Sequence, residues 1–221
     1  MRKVTLLTAA SIFALLAVEA TKPALSSSSI SDKLGVLLAP KVSKVLYNQN
    51  NNDAGIAITS ENLTSGSSSG YSDQGADDFV IPKGRTWTIT EVDITGGYSV
   101  SGPATSENVI FYQNAKGFPG KPIKNGTFEG LKGTGGPNFA TVLPGKGINL
   151  KAGHYWLSVI ANMDFPCCGL WGWEVNGTQN WDQALWRNPA GGYEVCRTWG
   201  TIERCDGSGP DFMFTLRGTL K

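Results

Sequence analysis

Four carboxylates, Asp164, Glu174, Asp182 and Glu194, lie in one stretch with five of the seven tryptophans, Trp171, Trp173, Trp181, Trp186 and Trp199. Two carboxyls facing each other at about 5–5.5 Å or about 6.5–9.5 Å across a sugar hydrolyse a glycosidic bond. Spacing along the chain does not set such distances, and surface charges or turn caps account for these residues as readily. The indoles are more informative. Trp181 and Trp186 fall in an Asn/Gln-rich segment beside Asn180, Asp182 and Gln183. An indole face stacks on the apolar face of a sugar ring, while amides and carboxylates satisfy the hydroxyls. The competing reading is a small core under a long loop, with the indole N–H groups tied to backbone. That reading is stronger for Trp171 and Trp173, which are two apart and share a face in a strand.

A second candidate chemistry is metal binding. Asp73, Asp77 and Asp78 are clustered and Asp211 opens the last apolar segment, a set of oxygen donors for a structural calcium ion. Ca²⁺ takes about six to eight oxygens, and capping of turns by Asp competes with this reading. Nucleophilic catalysis lacks its parts. The single histidine, His154, sits in a segment of strong β character, and neither a G-x-S-x-G elbow nor an H-E-x-x-H helix is present.

All four cysteines, Cys167, Cys168, Cys196 and Cys205, lie in this same region. An even set in an exported chain implies disulfides rather than a metal site, and three pairings are open. Cys196 with Cys205 closes a loop of about ten residues, worth about 2–3 kcal/mol in the chain-entropy model. It leaves Cys167 bonded to its neighbour Cys168, a rare vicinal bridge. The alternatives cross Cys167 and Cys168 to Cys196 and Cys205 in either order.

The elements that must position these groups are strands. Met1-Arg2-Lys3 followed by the apolar run Val4–Val18 and the small-residue site Val18-Glu19-Ala20 reads as a secretory signal over residues 1–20. Residues 21–44 are Ser-rich and read as a linker or pro-segment, with weak helix character over Ile30–Leu38; the domain proper spans 45–221. Removing Arg2, Lys3 and Glu19 leaves 17 basic and 17 acidic residues. With no basic stripe, nucleic acid is disfavoured as a partner, and no later segment is apolar enough for a membrane span.

Val45–Tyr47, Gly55–Ile58, Asp78–Ile81, Trp87–Thr95, Asn108–Gln113, His154–Asn162 and the final alternation Phe212, Phe214, Leu216 are the clearest of about ten short strands separated by turn signals. Trp87 and Ile89 share one face and Val92 and Ile94 the other. A bulge near Thr90-Glu91 would bring all four to one side. The pattern predicts an all-β fold: a single two-sheet antiparallel β-sandwich, jelly-roll-like, stapled by disulfides.

Ala76-Asp77-Asp78-Phe79-Val80-Ile81-Pro82 with Trp87-Thr88-Ile89-Thr90, then Phe111-Tyr112-Gln113 with Gly117-Phe118-Pro119-Gly120, Gly153–Ser158 and Pro210–Gly218 together resemble a jelly-roll β-sandwich module of secreted bacterial proteins. The resemblance covers roughly Val45 to Thr219. It implies fold and export, since most such modules have no established activity. The chain departs from versions with surface-sorting tails by ending at Lys221. Three functions follow as expectations. The first is a secreted, non-catalytic module binding an extracellular glycan or surface polymer through the Trp-rich loop. The second is a small carbohydrate-active enzyme using carboxylates of residues 164–205. The third is a structural cell-surface or matrix component. Clustered exposed Trp side chains in a concave groove favour the first, two facing carboxylates with no other partner the second, and a featureless surface with every Trp buried the third.

Overall fold

The computed structural model describes residues 43–133 and 135–221. The signal, the linker up to residue 42 and the Ile30–Leu38 segment lie outside the described residues. Fourteen strand segments are present among those described. In order they are β1 (Lys44–Asn48), β2 (Asp53–Thr59), β3 (Glu61–Leu63), β4 (Gln74–Ile94), β5 (Gly96–Tyr98), β6 (Ser106–Asn114) and β7 (Pro119–Leu131). Then come β8 (Phe139–Val142), β9 (Ile148–Met163), β10 (Trp171–Asn176), β11 (Leu185–Arg187), β12 (Gly200–Thr201), β13 (Asp211–Phe212) and β14 (Phe214–Leu220). Two short helices, α1 (Phe165–Cys168) and α2 (Ile202–Asp206), and a 3₁₀ turn at Gly66–Tyr71 complete the set.

The larger sheet runs β1-β14-β4-β9-β6-β7, with β3, β8, β11 and β12 attached at its margins. The smaller sheet is built on β10, flanked by β2, β5 and β13. All pairings are antiparallel except β3 with β9. This is the two-sheet all-β sandwich the patterning predicts. Its core is aromatic: Trp173 stacks on Phe212 at 4.6 Å and Trp171 on Phe139 at 4.6 Å, all four fully or nearly fully buried. Their indole N–H groups donate to the Met213 and Pro137 carbonyls, so these two tryptophans are core residues.

Strand β4 organises the molecule. Between Arg217 and Gly218, β14 advances one residue while β4 moves from Glu91 to Ile89, so Thr90 is the extra residue of a bulge. Trp87, Ile89, Val92 and Ile94 are accordingly all buried. Pro82-Lys83-Gly84, a turn signal in the sequence, does not end the strand. Ile81 pairs with Gly153 and Thr86 with Lys151, so residues 82–85 bow out as a wide bulge within one strand. Proline has no N–H to give the ladder, and Gly84 takes a left-handed φ of 80°, so the segment loops outward without breaking the flanking pairing. The last strand, β14, lies one in from the edge of the larger sheet, between β1 and β4, and Thr215 is buried along with Phe214 and Leu216.

The disulfides are Cys167–Cys168, at the end of α1, and Cys196–Cys205, joining a loop to α2. Among the described residues no helix is long and apolar enough to cross a membrane.

Candidate functional site

The site is built at a stretch of β4 where one side pairs with β9 and the other receives loops. Asp77 pairs with Leu157 and Asp78 with Trp156, so the two aspartates project to opposite faces of the sheet. Asp77 belongs to the inner side. Its Oδ1 accepts from the Asp78 N–H at 2.7 Å, and its Oδ2 accepts from Gln49 Nε2 and the Phe212 N–H, both at 2.6 Å. Gln49 in turn accepts from the Tyr47 hydroxyl at 2.6 Å.

Asp78 faces the outer side, where β9 places His154 and Trp156 on the same surface. Asn114 at the end of β6 sets the histidine. Its Oδ1 accepts from Trp156 Nε1 at 3.1 Å and the Gly117 N–H at 3.0 Å, both obligate donors. Its Nδ2 therefore faces His154 Nδ1 at 3.0 Å, which makes Nδ1 an acceptor and puts the ring proton on Nε2. Nε2 then donates to Asp78 Oδ2.

The loop after β10 closes over both carboxylates. The Asn180 N–H donates to Asp211 Oδ2, and the Asp182 N–H donates to Asp78 Oδ2 at 3.1 Å. Between these two clamped amides, Trp181 is held at φ 63° with its side chain outward, 60% exposed. Its indole also meets the Tyr47 hydroxyl. Asp182 projects its carboxylate, with Oδ2 3.8 Å from His154 Nε2.

The buried acids are held towards their neutral form. Burial pushes Asp78 up to about 6, opposed by its bonds from His154 and the Asp182 amide. Burial pushes Asp211 up to about 7, with Asn180 opposing and the charge of Asp78 adding. Asp77 is also raised well above the usual range, first by burial and then by Asp211 and Asp78. The Tyr47 hydroxyl is raised by burial and then by the same three acids. Two buried oxygens, Asp78 Oδ1 and Asp211 Oδ1, have no hydrogen-bond partner among the described residues.

The structure thus unites two groups of residues that the sequence nominates separately: Asn180, Trp181 and Asp182 from the loop, and Asp77, Asp78 and Asp211 from the acidic set. Three nominations, Trp186, Gln183 and Asp73, resolve differently, and the Asn180 side chain is engaged within the site itself. Trp186 is 4% exposed and its Nε1 donates to the Thr59 carbonyl at 2.8 Å, because β11 pairs with β4 and turns it inward; it is no stacking surface. Gln183 donates to Glu203 at 3.2 Å and lines a separate hollow with α2. The Asn180 side chain is spent on the Thr178 carbonyl and Asp211. Asp73 lies elsewhere, accepting from Thr59 Oγ1 at 2.5 Å and the Glu61 N–H at 2.9 Å.

The four nominated aspartates therefore do not converge on a calcium shell. Both oxygens of Asp73 and of Asp77 are taken by N–H or O–H donors, which leaves only the two unpartnered oxygens against the roughly six to eight that Ca²⁺ takes. Asp78, His154 and Asp182 do bring donor atoms within 4.8 Å of one another. The tautomer set by Asn114, however, puts a proton on the histidine nitrogen that a metal would need. The carboxylates of the tryptophan-rich stretch are dispersed: Asp164 precedes α1, Glu174 sits in β10 beside Asp53, and Glu194 is in an exposed turn.

His154, Asn114, Trp156, Tyr47 and Gln49 escape sequence reasoning. Only the uniqueness of His154, two residues from Trp156, marks that pair. No protein-family model, curated protein or solved structure matches this chain.

Proposed function

We propose that this protein is a secreted, non-catalytic β-sandwich that binds an extracellular glycan at the Trp181 loop. The observation that carries this reading is the way Trp181 is displayed. A non-glycine residue in the left-handed region costs about 1 kcal/mol or more. The exposed part of the indole forgoes its burial, and the clamp beneath it uses two buried carboxylates. Only its contact with the Tyr47 hydroxyl is repaid within the chain, whereas an outward-facing indole suits the C–H face of a pyranose. Asp182 offers a carboxylate beside it for ring hydroxyls. Gly117, whose Cβ position lies 3.4 Å from Asp182 Oδ2, brings the β6–β7 turn and the exposed Phe118 to the same rim. Two disulfides fit an oxidising compartment.

The test is a glycan-array screen of the mature domain beside a Trp181→Ala variant with an unchanged circular-dichroism spectrum. Retention of a glycan by the parent and its loss in the variant is the expected outcome. A variant that binds as well as the parent, or a parent that retains no glycan, refutes the reading.

A further inference from the structure

A second surface shares no residue with the Trp181 site. Strand β2 pairs with β10 on one side only, so its other side is a free edge of the smaller sheet. The direction of its amides follows from its neighbour. Glu174 of β10 stands opposite Ala57, yet its N–H donates to the Thr95 carbonyl and its C=O accepts from the Met213 N–H. Ala57 and Glu174 are therefore a non-hydrogen-bonded pair, and the Ala57 N–H and C=O point away from β10. Thr59, two residues on, points the same way, and its carbonyl takes the Trp186 indole N–H at 2.8 Å. The Ala57 N–H and C=O and the Thr59 N–H have no hydrogen-bond partner among the described residues.

This edge lines a cleft of about 380 Å³, together with Trp186 and the exposed side chains of Tyr193 and Val195. No lysine or arginine contributes to the lining. The free edge of β7, by contrast, is guarded by Lys121, Pro122 and Lys124 and broken by register shifts, whereas β2 has no such guard from Ile56 to Thr59. Three carboxylates surround the edge. Asp206 is exposed in the cleft, Asp53 is exposed at the start of β2, and Glu174 is half-buried opposite Ala57. The Glu174 carboxyl is raised first by its partial burial and then by the charge of Asp53 beside it. No lysine, arginine or histidine pairs with any of the three among the described residues.

We propose that the β2 edge binds an extended peptide of the pattern apolar–basic–apolar as an added strand. Such a strand gives the Ala57 N–H and C=O and the Thr59 N–H their partners. Its residue opposite Ala57 shares the face of Ala57 and Glu174. Neighbouring strands lie about 4.8 Å apart, so a lysine or arginine there reaches across β2 towards Glu174 and the adjoining Asp53. The residues on either side turn to the opposite face, the side of the larger sheet, to which Trp186 of β11 belongs and where Tyr193 packs on it. A neutral apolar guest would cover the edge yet leave its amides desolvated and unpaired. A second copy of this chain would bring the same carboxylates to the edge, like charge against like.

The experiment titrates the intact protein with the end-capped pentapeptide Thr-Val-Lys-Val-Thr, followed by amide chemical shifts. The Ala57 and Thr59 amides are expected to shift and to exchange more slowly with solvent. Thr-Val-Glu-Val-Thr is expected to bind at least about tenfold more weakly at low salt. Methylating the central lysine's backbone nitrogen, which removes the donor to the Ala57 carbonyl, weakens binding by about tenfold. Ala57→Pro, which removes an N–H only from the free side of an edge strand, does the same. Glu174→Gln narrows the preference for lysine over glutamate and leaves the effect of methylation in place. Trp181→Ala leaves peptide binding unchanged, which separates this site from the glycan reading. Equal affinity for the lysine and glutamate peptides, undiminished binding of the methylated peptide, or no response of the Ala57 and Thr59 amides at about 1 mM peptide overturns the proposal. Self-association that protects the same amides without peptide overturns it as well.

Discussion

Replacing Asp211 by asparagine isolates the energetics of the acid cluster. Burial raises the Asp211 carboxyl from 3.8 to about 7. A group whose folded pKa is raised holds its proton more tightly in the folded chain than in the unfolded one. Its stabilising contribution is complete below the unfolded value and is lost as pH rises through the folded value. For Asp211 that window runs from 3.8 to about 7, and its span corresponds to an upper bound of about 4 kcal/mol. Asp78, raised to about 6, acts in the same direction, and because the acids interact their contributions are not additive. Asparagine keeps an oxygen for the Asn180 amide and carries no charge. Asp211→Asn is therefore expected to exceed the parent in unfolding free energy by about 1–3 kcal/mol near pH 8, and to lose that advantage progressively as pH falls through the window towards 3.8. Urea unfolding monitored by tryptophan fluorescence across this range measures both curves. A parent that gains stability from acid to alkaline pH, or a variant with an unchanged pH slope, refutes the assignment of Asp211 as a carboxyl held towards its neutral form.

Three further outcomes follow from the geometry. Trp181→Gly removes the strain at φ 63°, whereas Trp181→Ala keeps it; the glycine variant is expected to be the more stable of the two by about 1 kcal/mol in thermal unfolding, with glycan binding absent from both. Replacing Cys196 and Cys205 by serine costs about 2–3 kcal/mol of stability, whereas replacing Cys167 and Cys168 costs well under about 1 kcal/mol because a bridge between neighbours closes almost no loop; paired urea titrations separate the two. Gly96→Ala sets a methyl group 2.5 Å from Trp171 Cζ2, displacing the ring from Phe139 and from the Pro137 carbonyl; the expected loss is about 1–3 kcal/mol, visible as a lower Tm.

What the chain determines locally is read from it directly. Alternating apolar residues mark most of the strands, because a strand turns each successive side chain to the opposite face. The conflict between Trp87/Ile89 and Val92/Ile94 already requires the bulge that Thr90 supplies. The short span from Cys196 to Cys205 favours their pairing on loop closure alone, and the two-residue spacing of Trp171 and Trp173 puts both on one face of a strand, the face that packing buries.

The site depends on contacts of another range. Asp78 and His154 are separated by 76 residues and meet because β4 and β9 pair in one register. A shift of one residue would turn Asp78 to the core and Asp77 outward. Trp181 and Trp186 share one polar loop, yet one is displayed and the other buried. The difference is made by Asp211 and Asp78, which hold the amides on either side of Trp181, and by the pairing of β11 with β4. Asp73 and Asp211 are equal as donors by composition, but only Asp211, delivered by β13, reaches the cluster. Periodicity and short loop closures are properties of neighbouring residues and belong to the sequence. Register between distant strands, and the side of the sheet to which each carboxylate turns, are decided only when the two sheets pack.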